Sequence, residues 1–350
     1  MYELIDRLAA SHSLELQEYE CLINAFNADL AQYIAYKADK VRRSIYGTDV
    51  YIRGLIEVSN VCRNDCYYCG IRRSNANCER YILDTDSIMR CCAEGYELGF
   101  RTFVLQGGEG SFKNICDTVA SIRSCYKDCA ITLSFGEYSR AEYQKMYDAG
   151  ADRYLLRHET ADEVHYNRLH PKSLSFQNRM RCLQDLKSIG FQTGCGFMVG
   201  SPYQTSLNLA KDLKFIEKFQ PQMCGVGPFI PHHDTKFAGF KAGSVDLTIY
   251  LLSIIRLIKP NILLPATTAL GTLSPDGRER AIKAGANVIM PNLSPYDNRS
   301  KYTLYDNKLA TGKESAQNLI LLKKSMENIG YNIVVAKGDI KTICQKENSD

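Results

Sequence analysis

Eight short apolar runs alternate with amphipathic stretches over residues 55–291, and this alternation constrains the fold more than any other feature. Short apolar runs are typical of buried strands, and amphipathic stretches between them are typical of crossover helices. The order predicts an α/β fold, a (β/α)₈ TIM-type barrel with an N-terminal helical extension and a short C-terminal extension. The runs begin at Leu55, Thr102, Ala130, Arg153, Gln192, Met223, Ile262 and Asn287.

Helix boundaries support the same fold. Three junctions place a glycine where a helix must stop before the next strand, at Gly150, Gly190 and Gly285. We predict an N-terminal helical extension over 1–46, the barrel over 47–330 and a C-terminal tail over 331–350, frayed from Gly338 onward. The clearest predicted helices are Thr85 to Leu98, Phe176 to Ile189 and Thr205 to Phe219.

Composition excludes several classes of function. The chain has 350 residues, enough for one barrel of about 250 residues with extensions. Its 43 basic and 39 acidic residues form no basic block, so we expect no nucleic-acid surface. The N-terminus lacks a secretory pattern, and no apolar stretch approaches the roughly 20 residues that span a bilayer. We therefore expect a cytoplasmic protein without a membrane partner.

Three of the 14 cysteines, Cys62, Cys66 and Cys69, fall within eight residues directly after the first predicted strand. In a long chain without a signal peptide, cysteines indicate metal ligands and reduced thiols rather than a disulfide framework. A compact loop can place three thiolates on one face of a [4Fe–4S] cluster and leave the fourth iron without a protein ligand. The triplet therefore predicts an iron–sulfur site with an open iron.

Two alternatives remain for these cysteines. A closed zinc site needs four ligands, and no second Cys or His pair follows at ribbon spacing, so zinc is disfavoured. Cys78 lies nine residues beyond Cys69 and could supply a fourth ligand. It would then remove the open iron, so the sequence leaves the role of Cys78 undecided.

The spacing Cys-x₃-Cys-x₂-Cys, with Tyr68 before the last cysteine, resembles the radical S-adenosylmethionine superfamily. This resemblance implies that the open iron chelates the methionine end of S-adenosylmethionine. One electron from the cluster then cleaves the S–C5′ bond and yields a 5′-deoxyadenosyl radical. A reductant such as flavodoxin or ferredoxin is implied. The chain itself must position the cofactor and exclude competing reactions.

The surrounding motifs are similar to the HydE family of [FeFe]-hydrogenase maturases from about Gly54 to Tyr305. That resemblance implies maturation of the hydrogenase active-site H-cluster, with other maturation proteins as partners. The radical would attack sulfur of a cysteine-ligated organometallic iron precursor, and no catalytic residue is assigned to the protein. The similar motifs are Ser59 to Cys62, Cys69 to Arg73, Leu133 to Glu137, Arg153 to Thr160, Gly227 to His232 and Pro265 to Ala269.

The resemblance also implies a cofactor site built from strand ends. Arginine forks suit the cofactor carboxylate, and a glutamate can accept from its amine or ribose. A simple turn at Gly107–Glu109 and surface ion pairing of Arg157 and Glu159 remain the plain alternatives. His158 is expected to face away from both of its neighbours. The predicted cofactor-binding residues are Tyr68, Gly107, Gly108, Glu109, Ser134, Glu137, Arg157, Glu159 and Arg179.

A second set of residues resembles the inner cavity of the family. Hydroxyl and amide groups there suit a small polar substrate, and an arginine suits a carboxylate. The predicted substrate-binding residues are Arg53, Gln106, Thr267, Thr268, Met290, Tyr302 and Tyr305. Asp234, in His232-His233-Asp234, could alternatively join a loop-closing hydrogen-bond network.

The chain departs from the family pattern at three places. Thr311 to Gln317 contains no cysteine, so we predict one cluster only. The family's Gln-Ser-Gly-Glu is Gln106 to Glu109 here, and the family's Pro after the first histidine is replaced by His233.

A biotin synthase-like or methylornithine synthase-like enzyme acting on an organic substrate is the alternative enzyme. A non-enzymatic metal-binding scaffold is the alternative of another class.

Overall fold

The computed structural model describes residues 1–110, 113–309 and 316–342. Its strands are Asp49–Ile52 (β1), Gly54–Ser59 (β2), Thr102–Gly107 (β3), Ala130–Ser134 (β4), Arg153–Leu155 (β5), Gln192–Val199 (β6), Met223–Pro228 (β7), Val288–Ile289 (β8) and Asn332–Val334 (β9). Its α-helices are Tyr2–Ser11 (α1), Leu16–Asn24 (α2), Ala28–Tyr46 (α3), Thr85–Glu97 (α4), Ile115–Cys125 (α5), Arg140–Asp148 (α6), Glu163–Leu169 (α7), Phe176–Ile189 (α8), Ser206–Phe219 (α9), Val245–Ile258 (α10), Thr268–Leu273 (α11), Gly277–Lys283 (α12), Tyr296–Arg299 (α13) and Leu319–Glu327 (α14).

The strands close into a parallel barrel. β2 to β7 form one sheet in chain order. Beyond β7 the pairing continues through single bridges from Met223 to Leu263 and from Pro265 to Val288. β8 then pairs with β1, and a bridge from Leu55 to Asn292 returns to β2. All eight predicted apolar runs lie in this ring, so the predicted (β/α)₈ fold is confirmed.

The seventh run is the least regular of the eight. It contributes bridges at Leu263 and Pro265 rather than a ladder. Proline has no N–H to donate, so a regular strand cannot form across Pro265. The apolar pattern located this run correctly but did not show how little pairing it makes.

The helices form the outer layer, and the three predicted most clearly are confirmed within one residue at each end. The N-terminal helices pack on this layer, α3 on α10 and α2 on α9. This explains why α10 is apolar on every side, since it is covered by both the barrel and α3. At the three predicted junctions Gly150, Gly190 and Gly285 have φ of 109°, 114° and 105°, in the left-handed region. In the described part of the chain, no helix is both long and apolar enough to cross a membrane.

The C-terminal segment covers the N-terminal end of the barrel. β9 pairs with β1, and the carbonyl of Lys337 accepts hydrogen bonds from Thr102 at 2.8 Å and from Arg153 at 3.0 Å. Asp339 accepts from the fully buried Arg153 at 2.5 Å. The prediction that the chain frays from Gly338 is therefore wrong for residues 338–341, because a buried guanidinium requires these acceptors. Residues 343–350 lie outside the described part, and the domain boundaries stay predictions.

Candidate functional site

The three cysteines lie together on the loop that follows β2. Cys62, Cys66 and Cys69 are free thiols, each half-buried. Burial raises the pKa of Cys69 to about 12 and raises the pKa of Cys66 and of Cys62 as well. A bare thiolate is therefore disfavoured here, whereas a bound metal displaces the thiol protons and supplies the compensating charge. The donor set fits an iron–sulfur cluster.

Hydrogen bonds connect the start of this loop to the residues that follow β3 and β4. Arg63 donates from Nε to Glu109 Oε1 at 2.9 Å and from Nη2 to the Glu137 carbonyl at 2.8 Å. A Cβ on Gly108 would lie 2.0 Å from the Val61 carbonyl oxygen, so only glycine permits this approach. The backbone at Gly108 therefore lies directly against the cysteine loop.

Tyr68 is oriented by a histidine that the sequence did not reveal. Its hydroxyl lies 3.2 Å from His170 Nε2, and His170 Nδ1 lies 2.9 Å from the Tyr166 carbonyl. Burial lowers the pKa of His170 to about 3, so the ring is neutral. Nδ1–H then donates to the carbonyl, and Nε2 accepts from Tyr68. His170 stands at the end of α7, about 100 residues from the cysteines, so no spacing links them.

Arg157 and Glu159 follow β5 and face each other. Arg157 Nη2 and Glu159 Oε2 form an ion pair at 3.2 Å, but its geometry is not that of a hydrogen bond. Arg157 Nε and Nη2 and Glu159 Oε2 are consequently buried without a hydrogen-bond partner in the described residues. Glu159 also has a left-handed φ of 64°, a strain typical of functional positions. Unsatisfied cationic and anionic groups side by side fit the carboxylate and amino ends of an amino-acid moiety.

His158 faces the other side of the sheet, as strand alternation predicted. Its Nδ1 accepts from the Gly196 N–H at 3.2 Å, and its Nε2 donates to Asp212 Oδ1 at 3.2 Å. Asp212 also accepts from the Ala161 N–H at 2.5 Å. This fully buried pair fixes the backbone on which Arg157 and Glu159 stand. Asp212, inside α9, gave no signal in the sequence.

Glu137 and Arg179 meet beside the same strand end. Arg179 Nε donates to Glu137 Oε1 at 2.5 Å, and Asn178 donates to Glu137 Oε2 at 2.5 Å. Arg179 Nη1 also donates to the Arg157 carbonyl at 2.7 Å. Glu109 Oε2 accepts from the Glu137 N–H at 2.8 Å. These predicted cofactor ligands therefore form one connected network around Arg157, with Ser134 half-buried at the end of β4.

Several predicted substrate residues line the mouth of the barrel. Gln106 Nε2 donates to the Tyr302 hydroxyl at 3.3 Å. Burial raises the pKa of Tyr305. The guanidinium of Arg157 is close enough to oppose this increase in part. Thr267 directly precedes α11, and its buried Oγ1 has no hydrogen-bond partner in the described part of the chain. Gln106 and Tyr302 are thus in contact, and Thr267 offers a buried hydroxyl group without a partner among the described residues.

Arg53 and Met290 lie deeper in the barrel. Arg53 Nη1 lies 2.9 Å from Met223 Sδ at the start of β7, and Arg153 and Asp339 are its charged neighbours. Met290 packs against the cluster of Tyr46, Tyr51, Met223, Leu263 and Val288. β2 separates Arg53 from the cysteine loop by about 20 Å. The structure does not bring these two residues to the mouth.

A lysine that the sequence did not single out anchors the segment that carries Tyr302. Lys308 donates to Glu57, whose side chain is 1% exposed, and to the Tyr302 carbonyl at 2.9 Å. Asn292 also donates to Glu57, at 3.0 Å. A buried carboxylate satisfied in this way holds the segment over the barrel mouth. The prediction of a single cluster rests on Thr311 to Gln317, of which residues 311–315 lie outside the described part.

Known proteins are similar to this chain in sequence. Residues 56–216 match the Radical SAM superfamily. The chain is 44% identical over 296 residues to the [FeFe] hydrogenase maturase subunit HydE of Thermotoga maritima, a match that covers 84% of each chain. It is 25% identical to 3-methylornithine synthase of Methanosarcina acetivorans, over 93% of this chain and 92% of that one.

Two solved structures share the fold. Methylornithine synthase (PylB) superposes with a TM-score of 0.81 at 23% identity, over 95% of this chain and 97% of that chain. HydG, a maturase of the [FeFe]-hydrogenase, superposes with a TM-score of 0.77 at 21% identity, over 94% of this chain and 74% of that chain. These two likenesses support the barrel alone. The cysteine loop and the 44% identity go further: the chain is a radical S-adenosylmethionine enzyme and belongs to the HydE family of [FeFe]-hydrogenase maturases.

Proposed function

We propose that Cys62, Cys66 and Cys69 hold a [4Fe–4S] cluster whose open iron receives S-adenosylmethionine. The observation that carries this proposal is the placement of three half-buried thiols at the same barrel end as the unsatisfied pair Arg157 and Glu159. When bound, the cluster and S-adenosylmethionine supply a 5′-deoxyadenosyl radical. The chain's own residues bind, orient and shield this chemistry.

In this proposal the strand ends recognise the cofactor. The Arg157 guanidinium receives the cofactor carboxylate, and Glu159 accepts from the cofactor amine or ribose. Glu137 and Arg179 hold the Arg157 carbonyl in place, and Glu109 ties this network to the cysteine loop. Tyr68, fixed by neutral His170, borders the cluster. Gly107, Gly108 and Ser134 complete the proposed cofactor set.

We further propose a cysteine-ligated organometallic iron precursor as the substrate, with its sulfur as the point of attack. Support comes from the polar mouth and from the curated relative, which is a subunit of an [FeFe] hydrogenase maturase. In this proposal Gln106, Thr267 and Thr268 provide amide and hydroxyl groups, and Tyr302 and Tyr305 provide phenol groups. Arg53 and Met290 remain proposed substrate residues at greater depth. A flavodoxin or ferredoxin is the proposed reductant, and other hydrogenase maturation proteins are the proposed partners.

The proposal is tested by an in vitro hydrogenase maturation assay from which the HydE component has been omitted. Adding the reconstituted protein should restore hydrogenase activity and form 5′-deoxyadenosine from S-adenosylmethionine. Thr267→Val should preserve cofactor binding and reduce maturation, because it removes a hydroxyl at nearly constant volume. Val164→Thr, at an exposed position of α7, is the control. Cofactor turnover with organic substrates but no maturation would favour a biotin synthase-like or methylornithine synthase-like enzyme instead.

A further inference from the structure

The loop after β7 carries His232, His233 and Asp234, three potential ligands that the proposed cofactor site does not use. They border a cavity of about 660 Å³, lined also by Cys78 and Asp306. One ligand atom from each of the three residues lies within 4.8 Å of the others. This spacing places imidazole and carboxylate donors near one another on a single loop.

Neighbouring side chains hold two of these donors in a usable orientation. His233 Nδ1 lies 2.7 Å from Asp306 Oδ1, and its Nε2 lies 3.4 Å from Asp234 Oδ2. Asp234 Oδ1 accepts from Asn77 Nδ2 at 2.9 Å, which leaves Oδ2 directed at His233. A carboxylate that accepts from one imidazole nitrogen fixes the other nitrogen as a ligand, the arrangement common behind metal-bound histidines. Asp306 is placed for that role.

His232 is the inner member of the group. Its side chain is 3% exposed and lies against Gly70, where a Cβ would come within 2.3 Å of the imidazole ring. The loop backbone is held from both sides, since Arg72 Nη2 donates to the Asp234 carbonyl at 2.7 Å and the Asp306 N–H donates to the Pro231 carbonyl at 3.0 Å. The donors therefore stand on a backbone that is already ordered, which limits the entropic cost of binding.

We propose that His232, His233 and Asp234 bind a divalent transition metal ion of borderline softness, such as Zn²⁺, with Asp306 orienting His233. Two imidazoles and one carboxylate match the ligand preference of zinc and leave a position for water. The site shares no ligand with the cysteine triplet and does not depend on the proposed cofactor chemistry. Arg72 and Asp306 already connect the loop after β7 to the cysteine loop and to the segment that carries Tyr302, so a bound ion would stabilise both connections.

The test is equilibrium dialysis of tag-free, anaerobically reconstituted protein against Zn²⁺, with metal content measured by elemental analysis. The variants are His233→Ala and Asp306→Asn. His12→Ala is the matched control, because His12 directly follows α1 and is distant in sequence from the loop after β7. We expect the parent protein and the control to bind one more zinc per chain than His233→Ala. Asp306→Asn should weaken zinc binding about tenfold, because it removes only the group that orients the imidazole.

Iron content and circular dichroism of each variant establish that the cluster and the fold are intact. Asp306→Asn keeps a side chain of the same shape, so it reports on the site even if His233→Ala fails to fold. Equal zinc stoichiometry and affinity in the parent protein, His233→Ala and Asp306→Asn would overturn the proposal. The three residues would then form a hydrogen-bond network only.

Discussion

Arg157 and Glu159 carry the cofactor proposal at the scale of single residues, because each has a buried polar atom without a hydrogen-bond partner in the described chain. Arg157→Lys retains the charge but loses the planar fork. A charge-assisted hydrogen bond contributes about 1.5–3 kcal/mol, so the Kd for S-adenosylmethionine should rise about ten- to a hundredfold. Titration of the reduced protein monitored by EPR measures this change. Arg140→Lys, at an exposed position, should leave the Kd unchanged.

His170 predicts a pH dependence of stability. Its pKa is about 3 in the folded protein and 6.5 as the ordinary value, so the unfolded chain binds the proton first as the pH falls. The contribution of His170 to stability is therefore complete above pH 6.5 and declines from there toward pH 3, by about 1.4 kcal/mol per unit. Between pH 7.5 and 5.5, the parent protein should lose about 1 kcal/mol more unfolding free energy than His170→Gln. Parallel losses in anaerobic urea unfolding would contradict this account.

At the scale of single residues, the sequence predicted the location of a side chain where that location follows from its position directly after a strand. The cysteines and the pair Arg157 and Glu159 follow strands directly, so their placement at one barrel end follows from the topology. His170 and Asp212 reach the site from helices, and only tertiary packing brings them there. Arg53 precedes its strand rather than following it, which explains why it lies deep in the barrel.

At the scale of elements, the helix-to-strand junctions set the direction of each strand. Gly150 has φ of 109°, and a Cβ there would lie 3.0 Å from Arg123 Cγ. Gly150→Ala should therefore lower the unfolding free energy by about 1–3 kcal/mol. Gly239→Ala is the matched control, because open space surrounds the position that its Cβ would take. Urea unfolding of both variants decides the point, and an equal effect of the two substitutions would show that the junction carries no strain.

Apolar periodicity predicted where the strands are but not how strongly each one pairs. β6 extends over eight residues, whereas the seventh run makes two bridges. The difference arises from Pro265, whose missing N–H interrupts the ladder. The tail shows the same limit. Its polar composition predicted fraying, but Lys337 and Asp339 pack on the barrel because they supply hydrogen-bond acceptors to buried Arg153.

At the scale of the whole molecule, the C-terminal segment closes the barrel end opposite the cysteine loop. Ending the chain after Ala336 removes the Lys337 and Gly338 carbonyls and Asp339 from the buried guanidinium of Arg153. Loss of these acceptors should cost about 2–3 kcal/mol of unfolding free energy and lower the melting temperature. A chain ending after Thr342 keeps all three contacts and is the control. Identical melting temperatures for the two truncations would contradict the assigned role.

The central claim is that the triplet holds a cluster with an open iron that binds S-adenosylmethionine. EPR of the anaerobically reconstituted, reduced protein, recorded with and without S-adenosylmethionine, tests this claim most directly. The account predicts a reduced [4Fe–4S] signal that changes when the cofactor is added. That signal should be lost or grossly altered in Cys69→Ser. It should be retained in Cys78→Ser, because the Cys78 thiol borders the cavity beside His232, His233 and Asp234. A signal that ignores the cofactor, or one that survives Cys69→Ser unchanged, would contradict it.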